Sequence, residues 1–231
     1  VAGLAMGTGI EGGDAAATLF GHDLFYASAM AITTTSDHDL FDAKGGAEAT
    51  AAAAWTASGW LGAGLGRLYA GVVPYRVTVG DVQTLWLGAS IGAAAGATAV
   101  ANGAPEPQTV AMSMLGGAFL GTIGAERAFV RRYDLTRGQA NLVTLGSGAG
   151  ALMGLGVGLL AQDKADRDGA TTFAFATAGA ATGALLTARY VAPARDAGRV
   201  GALTRLRVDP LAAVAAATGR PGQHALLHFT F

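Results

Sequence analysis

GQANLVTLGSGAGALMGLGVGLLA, residues Gly138–Ala161, decides how the rest of the chain is read. Its even positions carry Thr144, Gly146, Gly148, Gly150, Leu152, Gly154, Gly156 and Gly158. Its odd positions carry Val143, Leu145, Ser147, Ala149, Ala151, Met153, Leu155, Val157 and Leu159. Two readings compete. On a helix, Gly146, Gly150, Gly154 and Gly158 stack four apart, a glycine zipper that lets a second helix approach closely. On a strand, side chains alternate with period two, so one face is almost bare backbone and the other apolar. Gly148 and Gly156 favour the strand. On a helix they lie roughly opposite the zipper, each costing about 1 kcal/mol of helix propensity with no packing in return. On a strand all six glycines share one side.

The same division recurs upstream. Between Ala47 and Tyr69, Glu48, Thr50, Thr56, Ser58, Trp60, Gly62, Gly64 and Gly66 alternate with Ala51, Ala53, Trp55, Ala57, Leu61, Ala63 and Leu65. Between Thr84 and Val100, Thr84, Trp86, Gly88, Ser90, Gly92, Gly96 and Thr98 oppose Leu85, Leu87, Ala89, Ile91 and Ala93. Period two sustained this far is the pattern of a membrane-spanning strand with a lipid face and an interior face. In that register Trp60 and Trp86 point inward among the glycines and Trp55 faces lipid. Against it stand the alanine content, which favours helix, and segment lengths that suit a spanning helix. The aromatic share, 7%, is also low for a barrel with aromatic girdles. The expected fold class is all-β, a transmembrane antiparallel β-barrel with Gly-rich strands. The alternative is an all-α polytopic helical bundle with glycine zippers.

An internal repeat underlies both readings. GDVQTLWLGASIGAAAG (80–96) superimposes without a gap on GQANLVTLGSGAGALMG (138–154), matching Gly88, Gly92 and Gly96 with Gly146, Gly150 and Gly154. Each copy continues through a polar turn, NGAPEP or QDKADRDG, into a second apolar segment with Gly117 and Gly121 or Gly179 and Gly183, then Arg127 or Arg189. The unit is a hairpin of about 60 residues, present twice and a third time if Ala47–Tyr69 closes an earlier copy. Tandem hairpins that cannot bury their own faces imply one closed assembly. Charges alternate by side. Arg67 and Arg76, then Arg127, Arg131, Arg132 and Arg137, then Arg189, Arg195 and Arg199 fall in one set of connections. Asp37, Asp39 and Asp42, then Glu106, then Asp163, Asp166 and Asp168 fall in the other. For helices this is a positive-inside signal with both termini cytoplasmic, and it is the strongest argument for the α alternative.

A membrane protein explains the composition best. Of 231 residues 13% are charged, about half the share usual in globular proteins, and mean hydropathy is +0.40. The net charge of −1 leaves no nucleic-acid footprint. Without cysteine there are no disulfides or thiolate sites. The chain starts at Val1 with no basic leader, as expected of a mature or fragmentary product.

The last residues, HALLHFTF, alternate Ala225, Leu227, Phe229 and Phe231 with His224, Leu226, His228 and Thr230, and LTRLRVDP reads as a partner strand. In this stretch the chain resembles bacterial outer-membrane β-barrel proteins, whose final strand commonly ends in Phe after apolar residues at every second position. The resemblance implies an assembly signal at Phe229 and Phe231, read by the outer-membrane assembly machinery, and a place in the bacterial outer membrane (alternatively the inner membrane). It covers about eight residues, and high Ala with low Tyr and Asn departs from the family. The tandem glycine pattern is also similar to uncharacterised multi-repeat envelope proteins, which brings no activity.

Chemistry is thinly signalled. His22–Asp23, and Asp37–His38–Asp39 with Asp42, supply metal-ligand types, but no spacing matches a calcium loop. Ser36 beside Asp37–His38 is a weak lead to an envelope hydrolase, because no serine sits in a nucleophile elbow. GTGIEGG and GSGAGALMG lack the context of nucleotide loops. No catalytic, metal or cofactor site is expected. The glycines Gly88, Gly92, Gly96, Gly146, Gly150, Gly154 and Gly158 are the close-packing positions. Residues 1–36 form an N-terminal segment, a helix or a plug, and residues 37–231 the membrane-embedded hairpin-repeat domain. A barrel walled by glycine lacks internal side-chain volume. Asp14–Thr35, with Phe20, Phe25 and Tyr26, is the segment sized to plug it. The expected function is a non-catalytic outer-membrane anchor or scaffold; the alternative is a helical inner-membrane scaffold or small channel. Partners are the bilayer, the assembly machinery and other envelope proteins or self, without nucleic acid.

Overall fold

A computed structural model describes residues 12–35, 46–101, 105–162, 168–192, 205–208 and 227–230. They form six α-helices and two short strands: α1 (Gly12–Thr35), α2 (Gly46–Val72), α3 (Val79–Val100), α4 (Pro107–Ala125), α5 (Arg137–Leu160), α6 (Gly169–Val191), β1 (Arg205–Val208) and β2 (Leu227–Thr230). Two compact units divide the chain at residue 194.

The first unit is all-α, and this overturns the β-barrel. Within this unit the segments read as alternating strands are helices: α2 covers Ala47–Tyr69, α3 covers Thr84–Val100 and α5 covers Gly138–Leu160. The outer-membrane assignment rested on the barrel and falls with it. Asp14–Thr35 is no plug, since it lies in α1, which packs along α2. Trp60 is 63% exposed and Trp86 39%, so neither fills an interior. Trp55 is half-buried and donates its indole N–H to Thr33 Oγ1 at 2.6 Å.

Local sequence starts the helices in a repeated way. Thr78 caps α3 by accepting from the Asp81 N–H at 3.0 Å, while the Asp81 carboxylate accepts from the Thr78 N–H at 3.0 Å. Thr136 and Gln139 form the same reciprocal box at α5. Each box satisfies two orphan N–H groups of a first turn. The residues just before the caps, Val77 and Leu135, are buried. Pro107 opens α4, where a missing N–H costs nothing.

The helices pair as α1–α2, α3–α4 and α5–α6, three antiparallel hairpins in tandem. α3 is the hub and touches α1, α4, α5 and α6. Hairpins meet by one repeated contact near their first turns. A Cβ on Gly13 would strike the Val77 carbonyl, and one on Gly80 the Leu135 carbonyl. Thr78 Oγ1 also donates to the Leu135 carbonyl, at 2.7 Å. Around this junction lie the buried Val77, Val82, Leu85, Phe129, Val130, Leu135 and Val143. Phe20 meets Trp86 edge-on at 5.0 Å and Phe25 meets Phe119 at 5.7 Å, joining the first two hairpins farther along.

In the second unit β1 and β2 pair antiparallel, Arg205 opposite Thr230 and Val208 opposite Leu227. Four residues each, they close no barrel.

Candidate functional site: a small-residue bundle with an arginine-rich end

Inside each hairpin two helix backbones touch. A Cβ on Gly92 would overlap the Gly117 carbonyl, on Gly117 the Gly92 carbonyl, and on Gly121 the Gly88 carbonyl. In the third hairpin Gly150 meets Gly179, Gly154 meets the Phe175 carbonyl, Gly146 meets Thr187 and Gly183, and Gly158 lies against Thr172 and Phe175. The first hairpin uses Gly21, Gly62, Gly66 and the Ala17 carbonyl. Ser58 Oγ donates to the Phe25 carbonyl at 3.1 Å, and Ser113 Oγ, equivalently placed, to the Gly96 carbonyl at 2.9 Å. Contact this close needs glycine, because any side chain would hold the backbones apart. Gly148 and Gly156 face open space, with nothing within 4 Å among the described residues. The expectation that they share a face with Gly150 and Gly154 is therefore corrected.

Away from the buried junction, with glycine and alanine between the paired helices, many large apolar side chains face out. Leu145, Leu152, Met153 and Leu160 of α5 are 69%, 73%, 74% and 88% exposed. Two helices, α5 and α6, are long and apolar enough to cross a membrane, with mean hydropathies of 1.6 and 1.2. Only 6% of the most apolar window of α6 is buried. A helix that apolar in a water-soluble core turns most of its surface inward. Here it turns outward, which points to a membrane.

The end where the hairpins join carries Arg67, Arg76, Arg127, Arg131, Arg132, Arg137 and Arg189, all exposed. A hydrogen-bonded chain runs across it. Tyr69 and Tyr75 hydroxyls lie 2.9 Å apart, Tyr75 donates to Glu126 Oε1 at 3.1 Å, and Arg131 Nε donates to the same oxygen at 2.6 Å. That bond and the Glu126 charge raise the Arg131 guanidinium above its ordinary value. Arg67 reaches Asp14 at 2.9 Å, tying the end of α2 to the start of α1. A π-turn, Glu126–Val130, extends α4 here, with the Arg131 N–H bonded to the Glu126 carbonyl at 2.9 Å. The wider turn lets consecutive residues, Phe129 and Val130, both face the core while Glu126 meets Tyr75. Sequence reading missed Tyr69, Tyr75 and Glu126, which no spacing links. It also missed the Thr-x-x-Asp and Thr-x-x-Gln cap signatures at Thr78 and Thr136, which were legible.

The opposite end is acidic where described. Glu106 precedes α4, and Asp168 caps α6 by accepting from the Thr171 N–H at 2.9 Å and the Ala170 N–H at 3.2 Å. The Thr171 hydroxyl, then these backbone bonds, hold the Asp168 carboxyl below its usual range. The cap thus stabilises α6 above the unfolded carboxyl value, about pH 3.9, and its contribution disappears as pH falls through the lower folded value. The protection factors of the Ala170 and Thr171 amides, that is exchange corrected for its intrinsic pH dependence, will fall over that acid range, and Asp168→Asn will remove this fall.

Of the other sequence candidates, Phe229 lies in β2 opposite Leu206. Phe231, His224, Ser36, Asp37, His38, Asp39 and Asp42 lie outside the described residues. His22 and Asp23 sit midway along α1, with Nδ1 and Oδ1 2.9 Å apart. Among the described residues no three His, Asp or Glu side chains gather as a metal site requires. No family model matches the chain, and neither the search of curated proteins nor that of solved structures found a match.

Proposed function

We propose that this chain is a non-catalytic scaffold of an inner membrane, crossing it as three glycine-zipper hairpins with the arginine-rich end in the cytoplasm. The observation that carries this reading is the reversed partition of side chains, glycine and alanine between helices and large apolar residues outside. Lipid tails solvate such a surface, and helix association there relies on close packing rather than on hydrophobic burial. Helix length agrees. At 22 to 27 residues for α1, α2, α3, α5 and α6, a rise of ~1.5 Å per residue spans a hydrocarbon core of ~30 Å. The positive-inside rule assigns the arginine-rich end to the cytoplasm. A scaffold is favoured over a channel because paired backbones touch, and the concavity between α3 and α6 is a shallow groove of small and apolar residues. That groove, about 430 Å³, is lined by Ile91, Ala95 and Thr98 with Ala174, Thr177 and Ala178.

The test uses a chain that has no native cysteine. After carbonate washing the protein will stay with inner-membrane vesicles. In intact spheroplasts a membrane-impermeant maleimide will label Gln108→Cys, at the acidic end, and will reach Asp134→Cys only after lysis. Release by carbonate overturns the membrane reading, and the reverse labelling pattern overturns the orientation.

A further inference from the structure

One feature of the bundle does not suit lipid. Among the described helices, His22 and Asp23 are the only His, Asp, Glu, Lys or Arg residues more than six positions from a helix end. Asp23 sits eleven residues into the 24-residue α1 and its side chain is 56% exposed. A carboxyl group facing hydrocarbon at that depth is costly, and such residues face a protein partner or a polar cavity. Its hydrogen-bond partner among the described residues is its neighbour. Asp23 Oδ1 meets His22 Nδ1 at 2.9 Å, leaving Oδ2 and His22 Nε2 without hydrogen bonds among the described residues. The imidazole is held in place, stacked on Tyr26 at 5.9 Å and lying over Gly59, where a Cβ would come within 2.7 Å of Nε2.

Asp23 also centres an outward stripe. Ala15, Leu19, Asp23, Ala27 and Met30 recur every three or four residues and are all exposed, so they form one face of the helix. From this we infer that α1 is the contact helix of a homodimer within the membrane, two copies packing α1 against α1 with Asp23 at the centre. The inference rests on the membrane reading above. A second copy fits for a reason of chemistry. The site offers a spare carboxyl oxygen and a spare ring nitrogen side by side. With both ring nitrogens protonated, Nδ1–H donates to its own Asp23 and Nε2–H is left to donate to the Asp23 carboxylate of the second copy; a two-fold axis along the membrane normal brings donor and acceptor to the same depth. Ala27 and Ala15 flank the polar pair with little bulk, allowing the helices close approach. Lipid tails provide no such complement.

Oxidative cross-linking in membranes tests it. Ala27→Cys, one turn from Asp23 on the stripe, will form a disulfide-linked species of twice 22.9 kDa. Leu152→Cys, on the equally exposed face of α5, will not. Adding Asp23→Leu to Ala27→Cys will lower the cross-linked fraction about tenfold, the change expected for losing the two symmetry-related polar contacts. Carbonate resistance is scored first, in the Ala27→Cys chain itself. Release there overturns the membrane reading. A membrane-retained chain that fails to cross-link at residue 27, or that cross-links equally at 152, overturns the dimer alone. Cross-linking to a different protein at residue 27, or lack of effect from Asp23→Leu, also overturns it.

Discussion

Replacing Gly150 and Gly154 together with leucine will drive α5 away from α6, while the same double change at Gly148 and Gly156 will leave the hairpin folded. The first pair has no room. A Cβ at Gly150 falls on the Gly179 carbonyl, and one at Gly154 falls on the Phe175 carbonyl. Both obstacles are helix backbone, which cannot rotate aside as a side chain can. Overpacking costs roughly 1–3 kcal/mol per site even where neighbours yield. Two sites on one rigid seam will therefore remove several kcal/mol and separate the helices. At Gly148 and Gly156 nothing lies within 4 Å among the described residues. Leucine there adds outward apolar surface and meets no obstacle among the described residues. Unfolding in detergent, followed by denaturant titration, reads the difference. Equal destabilisation by the two double mutants would return the chain to the period-two reading.

The second large effect separates the hairpins rather than their halves. Gly80 and Gly138 occupy equivalent places, each two residues after a capping threonine. Gly80 is buried against the Leu135 and Thr136 carbonyls, whereas Gly138 is exposed with nothing within 4 Å among the described residues. Gly80→Val will push α3 off the start of α5, break the bond from Thr78 Oγ1 to the Leu135 carbonyl, and open the core around Val77, Leu135 and Val143. The expected loss is about 3 kcal/mol or more, an overpacked backbone contact plus one lost hydrogen bond. Gly138→Val will change stability by less than about 1 kcal/mol. Protease sensitivity between α4 and α5 should rise sharply for the first variant and stay at the wild-type level for the second. Similar behaviour of the two would mean that equivalent residues do not divide into a joined and an open position.

The failure of the β reading has a specific physical source. Gly146, Gly150, Gly154 and Gly158 form a helical stripe, and Gly148 and Gly156 happen to fall midway between its members. Together they imitate period two. The cost of about 1 kcal/mol for glycine in a helix, set against Gly148 and Gly156, holds in water. In a bilayer no water competes for the backbone hydrogen bonds, and glycine is more common in spanning helices than in soluble ones. The alanine content, the segment length and the alternation of arginine-rich with acidic connections all favoured helix and were outweighed by that one cost. The polar chain Tyr69–Tyr75–Glu126–Arg131 was beyond reach, because it joins α2, the connection before α3 and the π-turn after α4. Only folding brings those together.

By itself the sequence determined the repeat of about 60 residues, its hairpin form, the segregation of charge between the two sets of connections and a hydropathy suited to lipid. These follow from composition and order along the chain, and any fold of this chain inherits them. Tertiary structure decided helix over strand and which glycines matter. Gly150 and Gly154 share a face under either geometry, so local pattern is degenerate there. The degeneracy is lifted by the backbone of α6, whose carbonyls stand where any side chain on those two residues would have to be.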